Sequence, residues 1–268
     1  MILHADTVKE LRVQLPGLVE GLTRLQQKVV AVAQALPMKS PLREQLAHGV
    51  GRRLSVIRRS VQNIFTLLPP DQALPLDTDT VTDVQINLHA FVMNLYGLFD
   101  NLGWAFVLKH GLDKVILDQH GKLDRKGIGL FAKRTRRHLP KAILDHLTAP
   151  DMEKWHTDYA KDFRDALAHR IPPYVPPAVF TPDEGRRYNE LEDEKLRCIL
   201  EHRWERLDEV WAEQGRLGKP GFTFVHAYTE EAPARHVYLH PQLICDGLAV
   251  VEFGELFLQH WGTVTTPP

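Results

Sequence analysis

Two long apolar stripes near the N-terminus set the strongest constraint on this chain. Leu11, Leu15, Leu18, Leu22, Leu25, Val29, Val32 and Leu36 recur at alternating steps of four and three. Leu46, Val50, Leu54, Ile57, Val61, Ile64 and Leu68 repeat the pattern after a break. Such steps keep side chains on one side of an α-helix of about 3.6 residues per turn, so each set predicts a long helix that must bury one face. "PMKSP" at 37–41 makes the turn between them, with Ser40 as N-cap and Pro41 in the first helical position. Pro16 either kinks the first helix or marks its start.

A helical hairpin of this kind belongs in a bundle. Pro69, Pro70 and Pro75 close it, and the polar stretch 77–82 offers N-caps for a third long helix to about Lys109. Part of that helix, Leu88–Leu108, is long enough to span a membrane. His89, Asn94, Asp100 and Asn101 would be expensive in hydrocarbon, so a buried bundle helix and no membrane partner are expected. A loop over 111–129, a short helical stretch broken at Pro140 and Pro150, and a helix from Asp151 to about Arg170 follow. Then come the proline arm "IPPYVPP" and a charged helix from Pro182 to Gly215. After "GRLGKPG" the period changes to two: "FTFVHAY" (222–228) and "RHVYLH" (235–240) read as strands joined by a polar turn, and an apolar helix runs from Pro241 to Trp261. The fold expected is mainly α. A helical bundle occupies 1–215, and a small α/β extension of β-hairpin plus helix, 216–268, packs on it.

With 33 cationic and 34 anionic side chains the net charge is -1, so no global field draws the protein to nucleic acid or membrane, and an anion site must be a local patch. Cys198 and Cys245 match no zinc or redox spacing. The stretch "MILHADTVKELRV" lacks the apolar run of a signal peptide, and a cytoplasmic, disulfide-free protein is expected. There is no Gly-rich phosphate loop, Gly-x-Ser-x-Gly elbow or His-Glu-x-x-His site, and no cofactor is expected.

Chemistry concentrates in "FRDALAHRIPPYVPP", 163–177. The helix has an apolar face of Trp155, Tyr159, Phe163 and Leu167 and must stop near His169, because Ile171 precedes Pro172. A helix C-terminus and Asp165 one turn back both favour an imidazolium, which suits proton transfer. Five residues at about 100° each separate Arg164 and His169 by roughly 140° around the axis. Acting together requires a frayed end or a second copy across a symmetric dimer. Arg43–His48, Arg197–His202 and Arg235–His240 share the same step, so spacing alone carries little.

"FRDALAHRIP" resembles the signature of the HEPN superfamily (higher eukaryotes and prokaryotes nucleotide-binding domains): an arginine, a polar residue, and a histidine four to six residues after the arginine. The match covers Arg164 to His169. The tyrosine that some toxin branches place two residues after the histidine is Ile171 here. The resemblance implies a helical bundle, a homodimer, and metal-independent cleavage of RNA. In that chemistry a ribose 2′-hydroxyl attacks the adjacent phosphate, His169 is general base or acid, Arg164 stabilises phosphoryl charge, and Asp165 orients the histidine. It implies equally a non-catalytic protein that binds a nucleotide or a protein partner. The plain alternative is a solvated helix end with Arg164 paired to Glu153, Asp158 or Asp162.

Lys133, Arg134, Arg136 and Arg137, with Arg170 after the motif histidine, are candidates for holding a phosphate backbone, and Arg52, Arg53, Arg58 and Arg59 form a second basic cluster. Asn94 and Asn101, with Asn87, recur every seven residues. They form either a hydrogen-bonded packing seam or the lining of a cleft facing the Arg164–His169 helix. His156, Asp158, Asp162 and His169 spread over more than three turns, too far for one ion, and no metal site is expected.

Overall fold

The computed structural model describes residues 3–226 and 235–264. Its first helix, α1 (Ala5–Gln34), continues unbroken through Pro16, which therefore does not mark its start. The second rod is continuous but has three parts: α2 (Pro41–Glu44), a π turn (Gln45–Val50) and α3 (Gly51–Leu67). Ser40 holds the N-cap position, yet its side chain makes no capping bond. Leu11, Leu18, Leu22, Leu25 and Val29 face Leu46, Val50, Leu54, Ile57, Val61 and Ile64 inside one core. The stripes are therefore the mutual interface of a hairpin. Truncating a fully buried member such as Leu22 or Leu54 to alanine costs about 2–5 kcal/mol.

Helix α4 (Thr78–Lys109) starts at Asp77, whose carboxylate accepts the Thr80 backbone N–H at 2.9 Å. It alone among the described helices is long and apolar enough to cross a membrane, and most of its apolar window is buried in the bundle. Phe91, Leu95, Leu98, Phe99, Leu102 and Phe106 are the centre of the core. The last helix, α11 (Leu239–His260), lies along α1 within the same core. Gly247 and Gly254 allow this approach, because a Cβ there would sit 2.8 Å from a Leu18 methyl and 2.4 Å from a Leu25 methyl.

Between these long helices run short ones: α5 (Lys133–Arg136), α6 (Lys141–Leu147), α7 (Pro150–Trp155), a second π turn (His156–Lys161) and α8 (Asp162–His169). The proline arm then crosses α4. The His89 Nε2–H donates to the Pro173 carbonyl at 2.8 Å, and Tyr174 bridges to Val225. The arm thus seals one side of the bundle.

Two expectations need correction. The charged segment after Pro182 is not one helix: α9 (Pro182–Leu200) and α10 (Trp204–Gln214) fold back on each other. His202, in left-handed geometry at φ 56°, makes the reversal. The strands are also shorter than the alternation suggested. β1 (Thr223–His226) pairs antiparallel with β2 (Arg235–Tyr238), and Leu239 and His240 already belong to α11. The turn expected between the strands lies outside the described residues.

One buried charge ties α7 to α11. Asp246 accepts from the Trp155 indole N–H at 2.7 Å and from the Gln242 amide at 2.6 Å, both on the same oxygen. Burial pushes its carboxyl up to about 7, against these two hydrogen bonds. A carboxyl raised in the folded state stabilises the fold when protonated, and that stability drains away as pH rises from about 4 through 7. Asp246→Asn copies the protonated group and keeps the accepting oxygen. In urea melts across this window the variant should gain on wild type by on the order of 1 kcal/mol per pH unit, levelling off above 7. A constant difference at all pH values would show that Asp246 does not titrate there.

Candidate functional site

The site grows from the solvent-side edge of α4. Apolar residues on α4 face the core, so its polar groups emerge at the flanks and must find partners. On one flank, Asn94 and Asn101 close around Arg53 of α3. Its Nε–H donates to Asn101 Oδ1 at 2.7 Å and its Nη1–H to Asn94 Oδ1 at 3.2 Å. The Asn101 amide donates in turn to Gln45 Oε1 at 2.8 Å. Gly97 leaves the space for this guanidinium, since a Cβ there would lie 2.4 Å from its central carbon. Of the two readings of the asparagine repeat, the packing seam is what the molecule contains. Asn94 and Asn101 face α3 and not the helix that carries the motif, so they are not the cleft lining.

On the other flank, Tyr96 and Asp100 face the π turn and α8. A π turn carries extra residues per turn and is frequent at functional sites. This one brings His156 over Phe131 with ring centroids 3.5 Å apart and 14° between planes, and 5.9 Å from Tyr96 at 25°. Gly103 lets the 129–130 backbone come close, because a Cβ on it would meet Gly129 Cα at 2.7 Å. The result is a pocket of about 280 Å³ lined by Tyr96, Phe99, Asp100, Lys126, Phe131, His156 and Lys161, among others.

Arg164 turns toward this pocket's wall. Its guanidinium carbon lies 4.3 Å from the Tyr96 ring centroid, a cation–π distance, and its side chain is only 26% exposed. Its ion-pair partner is Asp165 at 3.0 Å, not Glu153, Asp158 or Asp162. Asp165 was expected to orient His169, and it is instead committed to the neighbouring arginine. His169 is exposed at the end of α8 and makes no side-chain hydrogen bond to a described residue. Arg164 and His169 thus point to different surroundings, as the angular offset requires.

The basic cluster divides. Arg134 pairs with Asp124 and donates to the Leu117 carbonyl, Arg136 pairs with Glu153 at 3.1 Å, and Arg170 pairs with Asp162 at 3.4 Å. Lys133 and Arg137 are exposed and form no ion pair among the described residues. Arg136 also lies over Phe131 at 5.4 Å. The Nε atoms of Arg136 and Arg164 are both buried without a hydrogen-bond partner among the described residues. Lys126 and Lys161 are exposed at the pocket, unpaired among those residues. Asp158 is held by Lys154 at 2.8 Å.

Electrostatics follow from this crowding. His156 is driven down to about 4, first by burial and then by Arg136, Lys161 and Arg164, with Glu153 opposing. Its imidazole is therefore neutral at pH 7. Asp100 keeps an exposed edge, yet surrounding protein raises its carboxyl above the usual range, and Arg164 and Arg53 offset part of that rise. Glu153 and Asp165 already pair with Arg136 and Arg164, so the excess positive charge at the pocket is that of Lys126 and Lys161 against Asp100, between aromatic walls.

Sequence reasoning overlooked Tyr96, Phe131, Lys126 and Lys161 and met His156 only as a metal candidate. The available signal was Asp100: a carboxylate amid an apolar helix needs a cation nearby, and the motif arginine is one such cation.

His156 sets an acid limit. A depressed histidine contributes stability that is present above its unfolded value near 6.5 and lost as pH falls toward 4. His156→Phe keeps the stacking on Phe131 and removes the titration. Its stability should fall less than that of wild type between pH 6.5 and 4, by on the order of 1–2 kcal/mol after allowance for the open side of the pocket. Parallel thermal melts of the two proteins decide this.

No protein-family model matches the chain, and the curated proteins and the solved structures give no match either.

Proposed function

We propose that this is a HEPN-like protein that binds a nucleotide, or a short single-stranded RNA segment, in the pocket between α4, the 126–132 loop and the π turn. One observation carries the reading. Two arginines, Arg136 on Phe131 and Arg164 on Tyr96, each cover an aromatic wall of the pocket, and each has a buried Nε–H without a hydrogen-bond partner among the described residues. With the Nε atoms closed to solvent behind the rings, a phosphate at the pocket mouth would take its charge-assisted hydrogen bonds from outer guanidinium nitrogens and from the lysines. The partly exposed Tyr96, Phe131 and His156 rings offer a base an aromatic surface, worth about 1–3 kcal/mol where it stacks. Lys126 and Lys161 extend the contact along a phosphodiester backbone, and Asp100 accepts from a ribose hydroxyl or an exocyclic amine.

Binding is measured by fluorescence anisotropy with a labelled single-stranded RNA oligonucleotide, competed by nucleoside monophosphates. Arg164→Ala should weaken it by about 10-fold or more, and Lys161→Ala by less. Affinity should fall linearly with the logarithm of salt concentration, with a shallower slope for each lysine or arginine removed. The same affinity in wild type and Arg164→Ala would sink the reading.

Cleavage of RNA without a metal is the second reading. What favours it is His169, exposed and without a described hydrogen-bond partner at the end of the helix that carries Arg164. In this reaction His169 takes the proton of a 2′-hydroxyl whose oxygen bonds to the adjacent phosphorus. The P–O5′ bond breaks to leave a 2′,3′-cyclic phosphate, and water or the second copy's motif histidine protonates the leaving 5′-oxygen. Arg164 neutralises the phosphoryl oxygens, with His169 and Arg164 drawn from paired copies of the motif. Cleavage in EDTA that disappears in both His169→Ala and Arg164→Ala establishes it. Cleavage that is equal in all three proteins, or absent from all, eliminates it and leaves binding as the function.

A further inference from the structure

The α9–α10 hairpin has two unlike sides. Leu191, Cys198, Leu207 and Val210 form a small buried centre between its helices, outside the main core. One side is closed by ion pairs, Arg187 to Glu213 at 2.6 Å and Arg206 to Glu194 at 2.8 Å. On α10, Trp204 stands two residues from Arg206, and Trp211 two residues from Glu213. Two residues turn a helix by about 200°, so both indoles lie on the other side. Ile199, about 140° round α9 from Glu194, lies there too. Trp204 is 56% exposed, Trp211 51% and Ile199 42%.

Aromatic surface left in water on a stiff hairpin marks an interaction site, and the charges around it select the occupant. Over 182–214 there are eleven carboxylates and six cations. Among the described residues, Asp193, Glu205 and Asp208 are exposed carboxylates without an ion pair, and Arg197 is the one cation of the hairpin without one. Arg197 is about 200° round α9 from Ile199, on the side away from the indoles. Asp208 follows Trp204 by four residues and precedes Trp211 by three, so it sits between the two rings. An indole face attracts a cation, and a guanidinium combines stacking on that face with paired hydrogen bonds to a carboxylate.

We propose that this side of the hairpin docks a basic segment of another protein, with an arginine held between Trp204 and Trp211 on Asp208 and an apolar side chain against Ile199. The excess of carboxylates that attracts such a segment repels RNA, an anionic membrane and a second copy of the hairpin. The proposal rests neither on the pocket nor on the Arg164–His169 motif.

Fluorescence anisotropy with the full chain and a short labelled peptide of alternating arginine and leucine tests it. Wild type should bind this peptide, and versions with glutamine or glutamate in place of arginine should bind about 10-fold more weakly or worse. Trp204→Ala with Trp211→Ala, both at exposed positions and with folding checked by circular dichroism, should weaken binding about 10-fold or more. Asp208→Asn should weaken it too. Asp193→Asn removes an equal charge about 120° round α9 from Ile199 and should leave binding unchanged. Equal affinity in wild type and the double tryptophan variant, equal losses in Asp193→Asn and Asp208→Asn, or a glutamine peptide bound as tightly as the arginine peptide overturns the proposal. So does a wild-type dimer in sedimentation equilibrium that the double variant abolishes, because a second copy then covers the indoles.

Discussion

Burying α4 is the constraint on which the rest of this molecule depends. A helix with Phe91, Leu95, Phe99 and Phe106 at the centre of the core carries Asn94 and Asn101 partly buried at its flank, where an unmet hydrogen bond costs a few kcal/mol, and Asp100 at its exposed edge. The two flanks solve this differently. On the α3 side the solution is closed: Arg53, Asn94, Asn101 and Gln45 satisfy one another. On the α8 side it is open. Asp100 has guanidinium charge nearby, but the Nε–H groups of Arg136 and Arg164 find no partner among the described residues, and solvent reaches Lys126 and Lys161. The same need to compensate polarity thus yields a closed seam on one flank and an open, lysine-edged pocket on the other.

The parts of this fold that were legible from sequence are those written in side-chain period. The Leu and Val stripes of α1 and of the second rod, an N-cap within 77–82 (the structure uses Asp77) and the helix stop before Pro172 each follow from local chemistry, and all are present. The π turns were not legible. Neither Gln45–Val50 nor His156–Lys161 contains a proline or a disrupted apolar pattern, and what holds them is contact with α4. The break at 201–203 was hidden for a similar reason. No glycine marks it, and His202 takes the left-handed geometry that glycine would take without strain.

For the site, the motif arginine was identified and its environment was not. Asp165 illustrates why. One turn before His169 in sequence, it is equally one residue from Arg164, and only the packing of α8 against Tyr96 decides which partner it takes. Spacing along a helix supplies candidates, and the neighbouring helix chooses among them. The same holds for Arg134, Arg136 and Arg170, whose clustering suggested an open basic patch. Three different acids, each from 8 to 17 residues away or within the adjoining loop, now neutralise them.

The angular offset between Arg164 and His169 bears on chemistry as well as on geometry. General acid–base work on a phosphodiester needs the proton-transfer group and the charge-stabilising group within hydrogen-bond reach of one phosphorus centre. On one regular helix, with the arginine seated on Tyr96 and the histidine at the exposed C-terminal end, a single copy of this motif does not meet that requirement. What a single copy does possess is an aromatic-walled pocket with two exposed lysines at its edge and a neutral histidine, built without any contribution from His169. The pocket is therefore formed within one chain, whereas the motif's arginine and histidine can reach one phosphorus centre only if a second chain supplies one of them.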